Sequence, residues 1–328
     1  MHHAESWTTA TIARVIDRTP TVREIELVVE GAPPTWAPGS HIDLRVQLGS
    51  RQETRSYSLV GLPDGRALRI AVKRLDDGRG GSKYMHALTP GARVALAAPE
   101  NHFDLDLDCA ETLLIAGGIG VTPLLGMAQR LAARGAGVTM CFAARTDDEL
   151  AFAGELREAL GDRLRTFVSA RGERIDFAAE FARLRPGAQV YLCGPVPMLE
   201  AARSAWSALR RPAADLRYET FGGSGRFAAQ SFRVQVPRHH VDIVVEQGCS
   251  VLDALEQAGV DVLSDCKRGE CGLCALDVLS FEGELDHRDV FLSVAEKQHG
   301  KRFCTCVSRV AGPNATLVLD SAYRNETG

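Results

Sequence analysis

Five of the nine cysteines crowd into the last fifth of the 328-residue chain. Cys266, Cys271 and Cys274 form a C-x4-C-x2-C run, with Cys304 and Cys306 downstream. Three soft thiolates on one short loop, completed by a fourth from elsewhere, suit the ligand set of a [2Fe–2S] cluster. Gly269 and Gly272 give that loop the tight backbone needed to wrap a flat cluster and aim amides at its sulfurs. A structural zinc site favours paired C-x2-C spacings, and the run contains one; buried inert thiols are the other reading. Cys304 and Cys306 lie two apart in an expected strand, so periodicity leaves the fourth ligand open between them. Cys109, Cys141 and Cys249 read as packing residues, and the nine histidines show no ligand spacing.

Glycine-rich turns supply a second kind of chemistry. In Gly78-Arg79-Gly80-Gly81-Ser82, which precedes a helix, backbone amides and the helix dipole converge where a phosphate can sit. Val72-Lys73-Arg74 brings cations nearby in sequence, and Arg55-Ser56-Tyr57-Ser58-Leu59 offers a guanidinium, a ring and two hydroxyls on one strand. Alone, that strand reads as an exposed one. Gly117-Gly118-Ile119-Gly120-Val121-Thr122-Pro123 follows a buried strand and opens a helix. It is not the GxGxxG fingerprint, yet its glycines admit a pyrophosphate to the backbone, and Thr122 is placed to cap the helix. Cys193-Gly194-Pro195 ends a later strand, Arg145-Thr146 follows the second, and Glu219-Thr220-Phe221 closes the segment.

In this order the motifs resemble those of the phthalate dioxygenase reductase family, the FMN/NADH/[2Fe–2S] reductase components of Rieske oxygenases, over essentially the whole chain. The resemblance implies FMN, with FAD the alternative, held by Arg55, Ser56, Tyr57, Ser58, Val72, Lys73, Arg79, Gly80, Gly81 and Ser82, of which Arg79, Gly81 and Ser82 cradle the phosphate. The GGIGxTP-like loop implies NADH on Gly117, Gly118, Gly120, Thr122 and Pro123, with Arg145 at the adenosine end. The CGP-like turn, Cys193, Gly194 and Pro195, puts Cys193 beside nicotinamide and flavin, and Phe221 resembles the aromatic near the flavin face. Ser58, Cys193 and Phe221 are thus the implied catalytic set. Cys306-Val307-Ser308-Arg309 looks like the family's fourth-ligand segment, which favours Cys306 with Cys266, Cys271 and Cys274, leaving Cys304 a packed neighbour. The implied function is hydride transfer from NADH to flavin, then single electrons through the cluster to a Rieske non-haem iron oxygenase. Reductases of a cytochrome P450 or free ferredoxin, and a cluster-carrying redox sensor, are the alternatives. No Cys-x-His pairs with a Cys-x2-His, so no Rieske centre is expected in this chain.

The elements that must carry these residues divide into three patterns. Up to about Leu105, short strands (Thr11–Val15, Val22–Val29, Ile42–Val46, Tyr57–Leu59, Leu68–Val72) alternate with Pro, Gly and Asp clusters, predicting an antiparallel β-barrel with one helix over 82–88. From Glu111, strands at Thr112–Ala116, Val138–Ala143, Leu164–Ser169 and Val190–Cys193 alternate with helices, predicting a doubly wound α/β domain. After a Gly-rich stretch, strands and a helix over 251–258 frame the cysteines in a small α+β domain of plant-type ferredoxin kind. The expected domains are residues 1–107 (flavin), 108–222 (nicotinamide), a linker over 223–232, and 233–328 (cluster).

Composition narrows the partners. Lys and Arg number 38 against 42 Asp and Glu, so no basic excess exists to hold nucleic acid. The most apolar run, Leu113–Val121, is nine residues long with three glycines, too short to span a bilayer. With no signal-like segment at Met1–Trp7, a cytoplasmic location is expected. From Arg233 onward there are 10 basic and 15 acidic side chains. Glu282, Glu284, Asp286 and Asp289 are therefore candidate docking acids for a basic partner, or solvated loop residues.

Overall fold

The computed structural model describes residues 7–321 apart from 50, 77, 79, 222–226 and 228. Its first sheet comprises β1 (Trp7–Asp17), β2 (Val22–Val29), β3 (Ser40–Leu48), β4 (Arg51–Ser58), β5 (Leu68–Lys73), β6 (Arg93–Ala97) and the short β7 (Glu100–Asn101). The order is β4-β3-β6-β1-β2-β5, antiparallel throughout, with β7 beside β3. Just past β4, Leu59 bridges Ile70, and the Val60 N–H donates to the Arg69 carbonyl at 2.8 Å, so the sheet curls until its two ends meet. Alternation sends Ile12, Ile25, Leu27, Ile42, Leu44, Val46, Ile70 and Leu96 inward, each buried. The helix α1 (Gly81–Ala87) adds Met85 to this core.

The second sheet alternates strand and helix: β8 (Glu111–Gly117), α2 (Val121–Ala133), β9 (Gly137–Ala144), α3 (Ala153–Leu160), β10 (Leu164–Val168), α4 (Phe177–Ala182), β11 (Gln189–Cys193), α5 (Val196–Ala208) and β12 (Leu216–Glu219). All pairings are parallel, in the order β10-β9-β8-β11-β12. The chain starts in the middle, runs outward to β10, then returns to β11 on the other side. The carboxyl ends of β8 and β11 therefore flank the point where the winding reverses, where open α/β sheets bind ligands.

These two sheets form one compact unit that ends at Glu219. Glu24 on β2 lies on the face opposite Ile25 and Leu27 and is nonetheless fully buried, and its partners explain it. Arg18 pairs with one carboxylate oxygen and Arg69 Nε lies 2.5 Å from the other. Both guanidiniums continue to Glu155 on α3, at 3.1 and 3.4 Å. A four-residue ionic chain thus ties the curled sheet to the nucleotide-type sheet. Beside it Gly126 of α2 abuts the Gly61 carbonyl, where a Cβ would come within 2.0 Å of the oxygen.

The second unit begins at Thr220. It comprises β13 (Phe232–Val236), β14 (Val241–Val245), α6 (Val251–Gln257), β15 (Ala275–Asp286), α7 (Val294–His299), β16 (Arg302–Cys304) and β17 (Arg309–Asp320). The order is β14-β13-β17-β15-β16, with only β13 and β17 parallel. Ser250 caps α6 by accepting the Asp253 N–H at 3.0 Å, and Val251, Leu252 and Leu255 bury its inner face. The cysteine loop lies between α6 and β15. Among the described residues no helix is long and apolar enough to cross a membrane.

Replacing Glu24 by Ala leaves Arg18 and Arg69 facing each other with only Glu155 between them. Removing one member of a buried pair costs about 3 kcal/mol, discounted here because both arginines are partly exposed. Thermal unfolding of Glu24→Ala is expected to shift down by several degrees; an unchanged midpoint would show the ionic chain to be dispensable.

Candidate functional site

On β4, period two puts Arg55 and Tyr57 on one face and Ser56 and Ser58 on the other. Arg55 lies against the start of α1: a Cβ on Gly81 would be 2.9 Å from its Nε. The guanidinium donates to Glu53 Oε2 at 2.6 Å and to the Thr54 carbonyl at 2.8 Å. Gly80, left-handed at φ 87°, precedes α1. Arg55 and the backbone of Gly80, Gly81 and Ser82 thus converge on one spot. Ser82 Oγ accepts the Leu75 N–H at 3.1 Å, bracing the turn. His86 on the same helix is bonded to the buried Val72 carbonyl at 2.8 Å. Tyr57 packs on the sheet's core, and burial pushes its hydroxyl pKa up. Ser58 Oγ is buried and has no hydrogen-bond partner among the described residues. A guanidinium over a glycine helix start, a half-buried ring and an orphaned hydroxyl fit a flavin phosphate and ring edge. Two predicted contacts lie elsewhere: Lys73 Nζ is 3.4 Å from Glu149, and Ser56 Oγ bonds Asp43 on the exposed face. Arg79 falls outside the described residues.

At the reversal point, Gly117 ends β8, Gly118–Gly120 form a tight turn, and α2 starts at Val121. The opposing turn is Cys193-Gly194-Pro195 at the end of β11. A Cβ on Gly120 would lie 2.1 Å from the Cys193 carbonyl oxygen, and one on Gly117 would lie 2.6 Å from Pro195 Cδ. Gly194 is hemmed in the same way by Met198 Sδ and Gly117. The two turns therefore touch backbone to backbone. No acidic side chain occupies the first turn of α2, so its positive end is clear for a pyrophosphate.

Thr122 departs from the expected cap. Because the tight turn occupies Gly118–Gly120, the cap position falls on Gly120, and Thr122 is buried within the first turn of the helix, donating to the Ile119 carbonyl at 2.9 Å. Pro123 is buried in that first turn, where a missing N–H costs nothing. Arg145 projects, exposed, from the end of β9, one strand from β8. Cys193 is buried between Ala116 and Glu219 in register. Phe221, half-buried, belongs to the second unit; its neighbour Thr220 donates its N–H to Glu270 of the cysteine loop at 3.3 Å.

The cysteine loop folds around sulfur. Cys266 Sγ accepts N–H bonds from Arg268, Glu270 and Cys271, each at 3.4 Å. Hydrogen bonds from Cys304 and Cys306 hold Cys274 well below the usual thiol range, and the same bonds, with burial, push Cys304 and Cys306 up. Cys306 also feels the charge of Cys266 and takes a bond from the Gly269 N–H. Cys304 couples instead to Cys274, Asp289 and Cys306. Amides aimed at sulfur and thiols crowded from two segments fit a cluster cradle, with Cys306 facing both ends of the loop.

The residues after Cys306 explain their own types. A Cβ on Gly269 would lie 2.6 Å from Val307 and 2.9 Å from Asp289, so this left-handed residue (φ 80°) can be nothing larger. Ser308 Oγ receives the Arg288 N–H at 3.1 Å and bonds Asp289 at 3.2 Å. Arg309 caps the carbonyls of Cys249, Gln230 and Glu246 at 2.6–3.0 Å. Asp289 is fully buried; burial raises its pKa, but His287, Lys297 and the Leu292 N–H outweigh it and hold the carboxyl low. Asp286, also buried, binds Arg288 at 2.7 Å. These two acids therefore brace the loop, and of the four candidate docking acids only Glu282 and Glu284 face solvent.

Residues 234–311 match the 2Fe-2S iron-sulfur cluster binding domain, and residues 114–204 match the oxidoreductase NAD-binding domain. The chain is 36% identical over 317 residues to the heme-dependent oxidative N-demethylase beta subunit of Ectopseudomonas mendocina, covering 94% of this chain and 97% of that protein. It is 41% identical over 286 residues to the phenoxybenzoate dioxygenase subunit beta of Ectopseudomonas oleovorans, covering 86% of each. The solved structure of phthalate dioxygenase reductase, at 30% identity, aligns with a TM-score of 0.74 over 96% of this chain and 98% of its own. The chain belongs to the phthalate dioxygenase reductase family. This reductase is an NADH-dependent oxidoreductase that uses FMN and a [2Fe–2S] cluster.

Residues that sequence patterns passed over now have roles in the reductase. Met198 walls the Gly117–Gly194 contact, and Gly126 admits the Gly61 carbonyl. A glycine inside the apolar run of α2 was the available signal for the latter. Met198 carried none.

Two measurements check this geometry. Gly120→Ala must push the Cys193 backbone away, so NADH affinity is expected to fall at least about 10-fold, roughly the 1.4 kcal/mol of a modest backbone clash; titration of NAD against protein fluorescence reads it. Cys306→Ala is expected to lose the cluster's iron and visible absorbance, whereas Cys304→Ala keeps both. The reverse outcome would make Cys304 the fourth ligand.

Proposed function

We propose that this reductase draws electrons from NADH and delivers them singly to a Rieske-type non-haem iron oxygenase component acting on an aromatic or similar small substrate. The observation that carries this is the order of three cradles on one chain: the Arg55–Ser58 strand with the α1 turn, the paired turns at Gly117–Gly120 and Cys193–Pro195, and the cysteine loop. Whole-length similarity to an oxygenase-system subunit, the phenoxybenzoate dioxygenase subunit beta, supports the acceptor class.

The flavin, when bound, supplies the conversion between a two-electron hydride and the one-electron chemistry of an iron–sulfur cluster. The chain's own residues bind and orient. Arg55 with the Gly80–Ser82 amides would hold the phosphate, to which the family pattern also assigns Arg79. Tyr57 would flank the ring, and the unpartnered Ser58 hydroxyl would be available to donate a hydrogen bond to it. Gly117, Gly118 and Gly120 bring pyrophosphate onto the first-turn amides of α2, while Arg145 meets the adenosine end. Cys193, buried between β8 and β12, would line the nicotinamide side, and Phe221 is the aromatic that the family pattern assigns to the flavin. Cys266, Cys271, Cys274 and Cys306 would ligate the cluster, and the amides of Arg268, Glu270 and Cys271, which bond the Cys266 sulfur, would favour its reduced, more negative state.

We further assign the domain limits 1–107, 108–222 and 233–328, with a linker at 223–232, and a cytoplasmic location, which keeps the nine thiols reduced. A haem-protein acceptor is the second reading, favoured by the similarity to the heme-dependent N-demethylase beta subunit.

The test is a visible spectrum of the purified protein before and after anaerobic NADH. Flavin and cluster bands that bleach together, followed by reduction of an added Rieske oxygenase, are the expected result. A protein loaded with both groups that fails to oxidise NADH would overturn the reading, and one that reduces only a haem partner would move it to the second.

A further inference from the structure

The histidines have no ligand spacing along the chain, but folding brings two of them together with a carboxylate. β3 and β7 pair with His41 opposite Glu100 and Ser40 opposite Asn101, and His102 follows directly. Donor atoms of His41, Glu100 and His102 all lie within 4.8 Å of one another. His102 Nε2 is 3.1 Å from Glu100 Oε2, and the His41 and His102 rings stand 5.5 Å apart between centroids.

From this we infer a metal site formed by His41, Glu100 and His102 that takes a divalent d-block cation of the zinc class. Two imidazoles and one carboxylate make the donor set of an open zinc site, with the fourth position left to water. Imidazole donors select against magnesium and calcium, which prefer all-oxygen shells. His41 is 6% exposed and fixed in the β3 ladder, whereas Glu100 and His102 side chains are 63% and 62% exposed. The buried ligand therefore sets the position, and the two exposed ones close over it from solvent.

The turn carrying His102 is already braced. Asn101 Nδ2 donates to the Pro38 carbonyl at 3.3 Å, and its Oδ1 accepts the Phe103 N–H at 3.0 Å. Ligands around tetrahedral zinc sit roughly 3.3–3.5 Å apart, given metal–ligand bonds of about 2.0–2.2 Å. The donor atoms already lie within 4.8 Å of one another, and the two exposed side chains, Glu100 and His102, are the ones whose rotamers can adjust to that distance.

The site is independent of turnover, so its test uses binding. Zinc chloride is titrated calorimetrically into the holoprotein, whose cluster cysteines are occupied and do not compete. One equivalent per chain is expected for the wild type. His102→Ala and Glu100→Gln, both exposed positions, should keep the flavin and cluster spectrum yet weaken zinc at least about 10-fold, the scale seen even when an outer-shell partner is removed. A variant with His2→Ala and His3→Ala should bind like the wild type. The inference is overturned by unchanged affinity in both His102→Ala and Glu100→Gln, by loss of binding in the His2/His3 variant, or by no zinc binding to the wild type at micromolar concentrations.

Discussion

At the heart of the reductase, the carbonyl oxygen of Cys193 approaches so near to Gly120 that only a hydrogen atom fits there. That contact locks two turns from different strands into a single floor at the reversal point of the parallel sheet. Everything that must meet over the floor inherits its precision: the free amides of α2 at one side, the buried thiol of Cys193 at the other. Side chains would have given the same floor several rotamers. Backbone against backbone gives it one, and the cost is an intolerance of any Cβ at Gly117, Gly120 or Gly194.

The cluster unit solves a similar problem by different means. Its cysteine loop has little regular structure, and a loop that carries a cluster cannot be free to change shape. Rigidity comes from behind. Gly269 closes on Val307 and Asp289, the Val290 N–H reaches the Gly269 carbonyl at 2.9 Å, and Asp289 gathers contacts from Ser308, Leu292 and Lys297. Acidic residues that a charge count assigns to the surface are here internal struts, because each has donors enough to offset the loss of water.

The sequence was legible where chemistry demands a residue type at fixed spacing. The cysteine loop that folds onto sulfur, the glycine turn after β8, and the strand and helix periodicities around them could all be read, since clustered thiols, close backbone approach and core burial leave local signatures. What depends on long-range pairing could not. Nothing local distinguishes Asp286 and Asp289 from solvated acids, or marks Glu24 as the buried centre of an ionic chain. His41 and His102 are 61 residues apart in sequence and adjacent only because β7 pairs with β3. Thr122 read as a cap because the extra turn at Gly118–Gly120, which displaces the helix start, has no signature beyond its glycines. Lys73 read as a phosphate cation, yet Glu149, from the other half of its unit, takes its charge.

The chain of Arg18, Glu24, Arg69 and Glu155, together with the Gly61–Gly126 contact, has a consequence for how such reductases can be recombined. A chimaera that exchanges only the nucleotide half between two relatives inherits one side of a matched set: an acid without its guanidiniums, or a helix side chain against a carbonyl. The first two sheets are therefore a single heritable module, and a productive crossover lies after Glu219, where the second unit begins, rather than near residue 107.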